Sequence, residues 1–337
     1  MTVSVIVPTF NRAASLDALV RALRQQTGGT PFEIIVVDNR SSDRTRDVVA
    51  FHAGEDRRIR YVFEPRAGAS CARNAGIAVA RGAILAFIDD DIRPREDWVA
   101  SIARAFAEHP EVDCIGGRVE PRWPSMPPAW LTPQHWPPLA LQTRRGDSPY
   151  LDRDHASACL ITANFACRAE VIRDVGGFAP EYLRDEDREF NLRMWRAGKR
   201  GMYADTVVAF AEIQPERLDK RYHRQWYHVT GASHARLRYR DTIDRDGRLV
   251  PDLTARGLSW LGVPGFLYRE FLAHLWSWTR RSISGQWDAA FGDECRIRYL
   301  ASYFFTRWRQ SLSATGNDAV VRYSIAQRRR ASSETKA

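Results

Sequence analysis

The sequence predicts an α/β fold: a mostly parallel sheet with helices on both faces, then a helical C-terminal extension. Three observations carry this. Short β-branched runs alternate with helical stretches over the first hundred residues. Acidic or small polar residues stand directly after several of those runs. From about Leu218 the chain turns basic, aromatic and helical.

Val3–Val7 reads as a first strand, ended by Pro8. Leu16, Leu19, Val20 and Leu23 follow at helical spacing and stop at Gly28-Gly29. Ile34–Val37 is a second buried-type strand, Thr45–His52 a short helix and Ile59–Phe63 a third strand. Ser70–Ala80 is an Ala-rich helix closed by Gly82, and Ala83–Ile88 a fourth strand running into Asp89-Asp90-Asp91. Pro94 suits a first helical turn, with Val99, Ile102 and Phe106 continuing the helix. Val112–Gly117 is a fifth strand. Pro121–Pro138, rich in proline and tryptophan, reads as a long loop that either lids the site or packs its rings against the domain. Ile161–Cys167 resumes strand character, and Glu170–Val175 and Arg184–Ala197 are helices. Val207–Phe210 is the last strand. The expected organisation is an α/β domain over 1–220, with halves at about 1–117 and 118–220. A basic aromatic extension over 221–325 and a mobile tail over 326–337 follow.

A net charge of +9 favours anionic partners, among them nucleotides, nucleic acid and anionic membranes. Five cysteines without a CxxC pair argue against a zinc site or a disulfide framework and fit a reducing cytoplasm. Met1 leads straight into Val3–Val7, so no signal peptide is expected. No apolar run approaches the roughly 18 residues of a spanning helix.

In parallel α/β sheets, ligands bind beyond the C-terminal strand ends. Pro8-Thr9, Asp38 and Asp89–Asp91 all fall there and should share one crevice. Three adjacent aspartates repel one another unless something compensates. One reading is a solvated turn capping the next helix. The other is a divalent metal on Asp91, with Asp89 and Asp90 holding a ribose or orienting the site. Asp38 either caps a turn or accepts from a base or ribose, and Arg73 is either a surface arginine or a nucleotide contact.

The segments Val3–Arg12 (VSVIVPTFNR), Val36–Thr45, Gly68–Gly82 and Leu85–Pro94 resemble, in order and spacing, the family 2 inverting glycosyltransferases. Gly176–Phe178 and Asp185–Gly198 (DEDREFNLRMWRAG) resemble that family's acceptor-side motif. The resemblance covers about residues 3–220. It implies a GT-A fold and a nucleotide-diphospho-sugar donor contacted by Pro8, Thr9, Asn11, Asp38, Arg73, Asp89 and Asp90. It also implies a Mn2+ or Mg2+ site at Asp91 and a catalytic base in the Glu186-Asp187 pair, Asp187 by position. Where many relatives carry a further histidine ligand this chain has Ala211, followed by Glu212, so either Glu212 substitutes or the metal keeps waters. The Gln-x-x-Arg-Trp signature of processive synthases is missing, which points to single additions.

Such an enzyme would move the sugar onto a hydroxyl of a glycan or lipid-linked acceptor, in cell-surface glycan or polysaccharide synthesis. Alternatives are a polyprenyl-phosphate acceptor or a catalytically silent membrane-associated scaffold. The first βα turn lacks GxGxxG, which counts against a dinucleotide oxidoreductase, and no nucleic-acid module is recognisable, so no specific nucleic acid is expected. In the extension, Trp276, Trp278 and Trp308 stand near Arg269, Arg280, Arg281 and Arg309. Such helices either lie on an anionic membrane, placing the protein at the inner face of the plasma membrane, or pack on protein.

Overall fold

The computed structural model describes residues 2–313, apart from 147, 149, 183, 245 and 251–258. The expected tail, 326–337, lies outside the described residues. The chain forms two compact units, one of Met1–Lys220 with Ile243–Leu249, the other of Arg221–Thr242 with the chain from Val250 onward.

The first unit is built on an eight-stranded sheet: β1 (Val3–Thr9), β2 (Phe32–Asp38), β3 (Ile59–Phe63), β4 (Ile84–Ile88), β5 (Ile92–Pro94), β6 (Cys114–Arg122), β7 (Asn164–Arg168) and β8 (Gly201–Glu212). Their order is β3-β2-β1-β4-β7-β6-β8-β5. The pairs β1–β2, β2–β3, β1–β4 and β6–β8 are parallel, whereas β7 runs antiparallel to β4 and β6, and β5 antiparallel to β8. The central strands β1, β2 and β4 are almost wholly apolar and buried, as strands covered on both faces must be.

Six helices accompany the sheet: α1 (Ala13–Arg24), α2 (Thr45–Glu55), α3 (Ala69–Val79), α4 (Trp98–Glu108), α5 (Ala169–Val175) and α6 (Glu186–Arg196). Leu16, Leu19, Val20 and Leu23 are the buried stripe of α1, as their spacing required. In α3, Gly76 lets the helix lie close on the sheet, because a Cβ there would stand 2.6 Å from Ile6 Cγ2. That approach brings Arg73 of the same helix over the end of β4.

Two expectations are corrected. Pro94 does not open a helix but ends β5, an edge strand with no neighbour beyond it, where proline is tolerated. Pro121 belongs to β6, which runs on to Arg122 beside β8 rather than stopping at Gly117.

The second unit contains α7 (Lys220–Arg236), α8 (Tyr239–Thr242), α9 (Gly265–Ile283) and α10 (Trp287–Leu312), with α7 beginning at the boundary. Its core gathers Ala235, Val263, Leu267, Tyr299, Leu300, Tyr303 and Phe304. No helix among the described residues is long and apolar enough to cross a membrane.

Candidate active site

The chain runs from β1 outward through β2 to β3, then returns to place β4 on the other side of β1. This reversal is a topological switch point, where the carboxyl ends of two neighbouring strands part and leave a crevice. A cavity of about 800 Å³ opens there. It is lined by Pro8 and Thr9 at the end of β1 and Asn11 just after it, by Arg73 of α3, by Asp89–Asp91 after β4, and by Glu186 and Glu212. The Thr9 hydroxyl donates to Asp90 Oδ2 at 2.8 Å, closing the gap between β1 and β4.

Each acid of the triplet meets an arginine. Arg73 donates from Nη2 to Asp89 Oδ1 at 2.9 Å and from Nη1 to Glu186 Oε1 at 2.7 Å. Arg12 donates from one nitrogen to Asp90 Oδ1 at 3.0 Å and to Asp91 Oδ2 at 2.8 Å. Arg217 adds a second donor to Asp91 Oδ2 at 3.0 Å. Burial pushes the Asp90 carboxyl up to about 6, against the pull of Arg12. Asp89 is likewise raised, by burial first, with Arg73 opposing and Asp91 assisting. Burial alone would lower the Arg73 guanidinium, yet Asp89 and Glu186 outweigh it and hold its proton more firmly than usual.

Asp38 ends β2 with its carboxylate turned into the fold. Oδ1 accepts from the Ser41 amide at 2.8 Å and Oδ2 from the Tyr61 hydroxyl at 2.8 Å. It is not among the residues lining the cavity, whereas its neighbours Asn39 and Arg40 are. Asn11 adopts the left-handed backbone region, which asparagine tolerates, and its Oδ1 accepts from the Ser42 amide at 2.7 Å. The loops after β1 and β2 are thereby tied together at the rim.

The Glu186-Asp187 pair opens α6. Asp185 before it is also left-handed, at φ 61°. A reciprocal bond fixes the approach to this helix: Asn74 Nδ2 donates to the Phe178 carbonyl at 2.7 Å and its Oδ1 accepts from the Phe178 amide at 2.8 Å. Gly177 makes room for this bond, since a Cβ there would stand 2.3 Å from Asn74 Oδ1 and push the amide away. Glu186 lines the cavity and Asp187 beside it does not. Asp187 Oδ1 accepts from the Arg188 amide at 2.7 Å. Burial, then the negative charges of Glu186 and Asp185, push the Asp187 carboxyl up to about 7.

Glu212, the expected second metal ligand, lines the cavity but its Oε1 accepts from Arg122 at 3.1 Å. Among the described residues no group of three or more His, Cys, Asp or Glu side chains gathers as a metal cage. A metal here would therefore rest on Asp91 and on oxygens of a ligand. That fits magnesium and manganese, which are commonly held by one or two carboxylates together with substrate phosphates. Both arginines on Asp91 bond the same oxygen, Oδ2.

Sequence reasoning missed several residues that line the cavity: Phe10, Arg12, Arg40, Arg184 and Arg217. Phe10 is more than half exposed on the cleft wall. Arg12 stood inside a motif that signalled the site, but nothing local told that it would pair with acids 78 residues away. In the Pro/Trp loop, Trp130 is buried edge-on against His135, and Trp123 lies 6.3 Å from Trp136, so these rings pack within the loop. Leu139 and Ala140, just past that loop, line the cavity.

Over residues 4–176 the chain matches the family described as Glycosyl transferase family 2. Glycosyltransferase AglE of Haloferax volcanii is 30% identical over 225 residues, covering 65% of this chain and 70% of that protein. Validoxylamine A glucosyltransferase of Streptomyces hygroscopicus is 38% identical over 154 residues, 44% of this chain and 36% of that one. Among solved structures, the mannosyltransferase PcManGT from Pyrobaculum calidifontis, in complex with GDP-Man and Mn2+, aligns with a TM-score of 0.54 at 18% identity. That alignment covers 96% of this chain and 79% of that one. S. aureus TarS 1-349 in complex with UDP aligns with a TM-score of 0.53 at 18% identity, covering 94% and 91%. Both share the curled sheet with flanking helices. With its switch-point cleft, its aspartate triplet and a family match across half its length, this chain belongs to glycosyl transferase family 2 and is a glycosyltransferase of GT-A fold.

Proposed function

We propose that the protein transfers a sugar, with inversion, from a nucleotide diphosphate to an acceptor hydroxyl in glycan or polysaccharide synthesis. The observation that carries this reading is the ring of Arg12, Arg73 and Arg217 around Asp89, Asp90 and Asp91 at one end of an 800 Å³ cavity, with Glu186 lining that cavity too. Such a cavity has room for a nucleotide sugar and offers both cations for phosphates and carboxylates for a metal and a ribose.

Phe10 offers an aromatic face for a nucleobase, and Arg40 adds a polar group to the same cavity lining, while the Asn39 amide is taken up by Glu64, Arg66 and Gly68. Asp38 supports that wall by fixing the Ser41 turn, so its contribution to base recognition runs through the loop. Arg12 and Arg217, on the shared wall with Asp91, are placed to attract a diphosphate. Asp91 is the carboxylate that would hold Mn2+ or Mg2+, with Glu212 able to join if it leaves Arg122. A divalent cation there would neutralise charge on the diphosphate as it departs.

In the reaction the bond from the anomeric carbon to the diphosphate oxygen breaks, and the diphosphate leaves with the electron pair. The acceptor oxygen bonds to the opposite face of that carbon and loses its proton to a carboxylate. Glu186 is held by Arg73 and serves to orient. Asp187, with a carboxyl raised toward neutrality, suits a general base, whose best pKa lies near the working pH.

A thermal-shift panel of UDP, GDP, UDP-sugars and GDP-sugars, with and without manganese, tests this. One nucleotide family should raise Tm by mass action, by an amount equivalent to about 2.7 kcal/mol at a hundredfold excess over Kd. If no nucleotide in the panel moves Tm under either condition, the cleft is not a donor site.

A further inference from the structure

The second unit carries an apolar stripe that its own fold leaves uncovered. One side of α9 is fixed against α10. Asp293 accepts from the Ser277 hydroxyl and from Arg281, each at 2.8 Å, and pairs with His274 Nδ1 at 2.8 Å. Glu270 is bridged to Arg296 and Arg240, and Leu267 is buried in the core. With that side locked, the other side must face outward. It presents Leu272, Leu275, Trp276 and Ile283, which fall within about 100° of one another at 100° per residue. Trp276 is 72% exposed and Ile283 83% exposed. Trp287, at the start of α10, adds another exposed ring just past the turn at Ser284–Gln286. Arg269 and Arg280 are exposed along one edge of the stripe and form no ion pair with the described residues.

We infer that this stripe docks the protein onto an anionic lipid bilayer, lying in the interface without crossing it. Large apolar and tryptophan side chains buried at headgroup depth, flanked by arginines in the headgroup layer, are what an interfacial helix uses. A second copy of the chain is the poorer occupant. An antiparallel two-fold contact centred on the stripe would bring Arg269 of one copy toward Arg280 of the other, setting like charges against each other. Anionic headgroups satisfy both arginines instead. No helix among the described residues is apolar enough to span.

Co-sedimentation of the full chain with phosphatidylglycerol/phosphatidylcholine vesicles tests this, in about 0.05 M and about 0.5 M salt. The wild type should pellet with anionic vesicles at low salt and be partly released at high salt. Pure phosphatidylcholine should capture much less. Trp276→Glu combined with Ile283→Glu should lower partitioning at least about tenfold, with nucleotide binding retained as evidence of a folded first unit. Arg269→Gln combined with Arg280→Gln should remove the salt sensitivity that the stripe contributes. A wild type that stays in the supernatant at low salt overturns the inference. So does unchanged pelleting of the Trp276→Glu/Ile283→Glu variant, which would assign capture to basic residues elsewhere. A concentration-dependent dimer in light scattering that the same two substitutions dissolve would hand the stripe to a second copy.

Discussion

Arg73 grips Glu186 across 113 residues of sequence, with Nη1 2.7 Å from Oε1, and reaches Asp89 with its other terminal nitrogen. One nearly buried guanidinium thus joins the end of β4 to the start of α6. The side chain keeps 4% of its surface exposed, Glu186 14% and Asp89 34%.

Arg73→Ala should therefore destabilise the first unit by about 2–4 kcal/mol, near the lower end for a broken buried pair, because Asp89 retains some solvent. Urea denaturation at neutral pH measures this. Arg73→Lys should recover only part of the loss, since an ammonium cannot reproduce the fork that spans two carboxylates. A change under about 0.5 kcal/mol, the usual range for a surface site, would mean the bridge carries little.

Gly177→Ala should cost about 1–3 kcal/mol by overpacking against Asn74. The reciprocal bonds to Phe178 must loosen, and the approach to α6 with them, so transfer should fall alongside Tm. A variant with wild-type Tm would show that the Asn74 side chain moves aside freely.

Much of the fold was legible because its signals are local. The apolar runs of β1, β2 and β4 need no partner to be recognised, and the stripe of α1 shows in its spacing. Ile59–Phe63 and Thr45 fall where the pattern put them. Pro94 misled because a three-residue edge strand carries almost no periodicity, and a proline there looks the same as one opening a helix. The placement of β7 between β4 and β6 is equally silent in the sequence, for strand order is decided by packing across the whole chain. The acids of the site could be read from their motifs. Their arginine partners could not, since Arg217 is 126 residues from Asp91 and nothing local announces the pair. Asp38 illustrates the reverse: the motif marked it, while Tyr61 and the Ser41 amide decide where its oxygens point.

Asp91→Asn should abolish manganese-dependent binding of the nucleoside diphosphate with little loss of fold. It also releases Arg12 and Arg217 from Asp91, so weak metal-independent binding should persist or rise. Calorimetric titration of the diphosphate with and without manganese separates the two effects. Unchanged manganese dependence in the variant would remove Asp91 from the metal site.

The raised carboxyl of Asp187 gives a pH signature. An ordinary aspartate titrates near 3.9. A folded-state value raised to about 7 means that stability present at low pH is lost as pH rises through that value. The metal-free wild type should therefore lose more Tm than Asp187→Asn between about pH 5 and about pH 8. Asp90, raised to about 6, adds a loss of the same sign that both proteins share. Transfer should show the opposite slope, increasing as Asp187 ionises. Identical Tm profiles for the two proteins would place the Asp187 carboxyl in its ordinary range.

Sugar transfer by Asp187→Asn, compared with Glu186→Gln in the same assay with the true acceptor, tests the central assignment most directly. Glu186 lines the cavity but is held by Arg73, whereas Asp187 carries the raised carboxyl. Asp187→Asn should bind donor normally and lose about 10²–10⁴-fold in turnover, with a smaller loss for Glu186→Gln. Retention of more than about a tenth of wild-type transfer by Asp187→Asn, outside the range for a lost general base, would contradict the assignment and move the base to a neighbouring carboxylate.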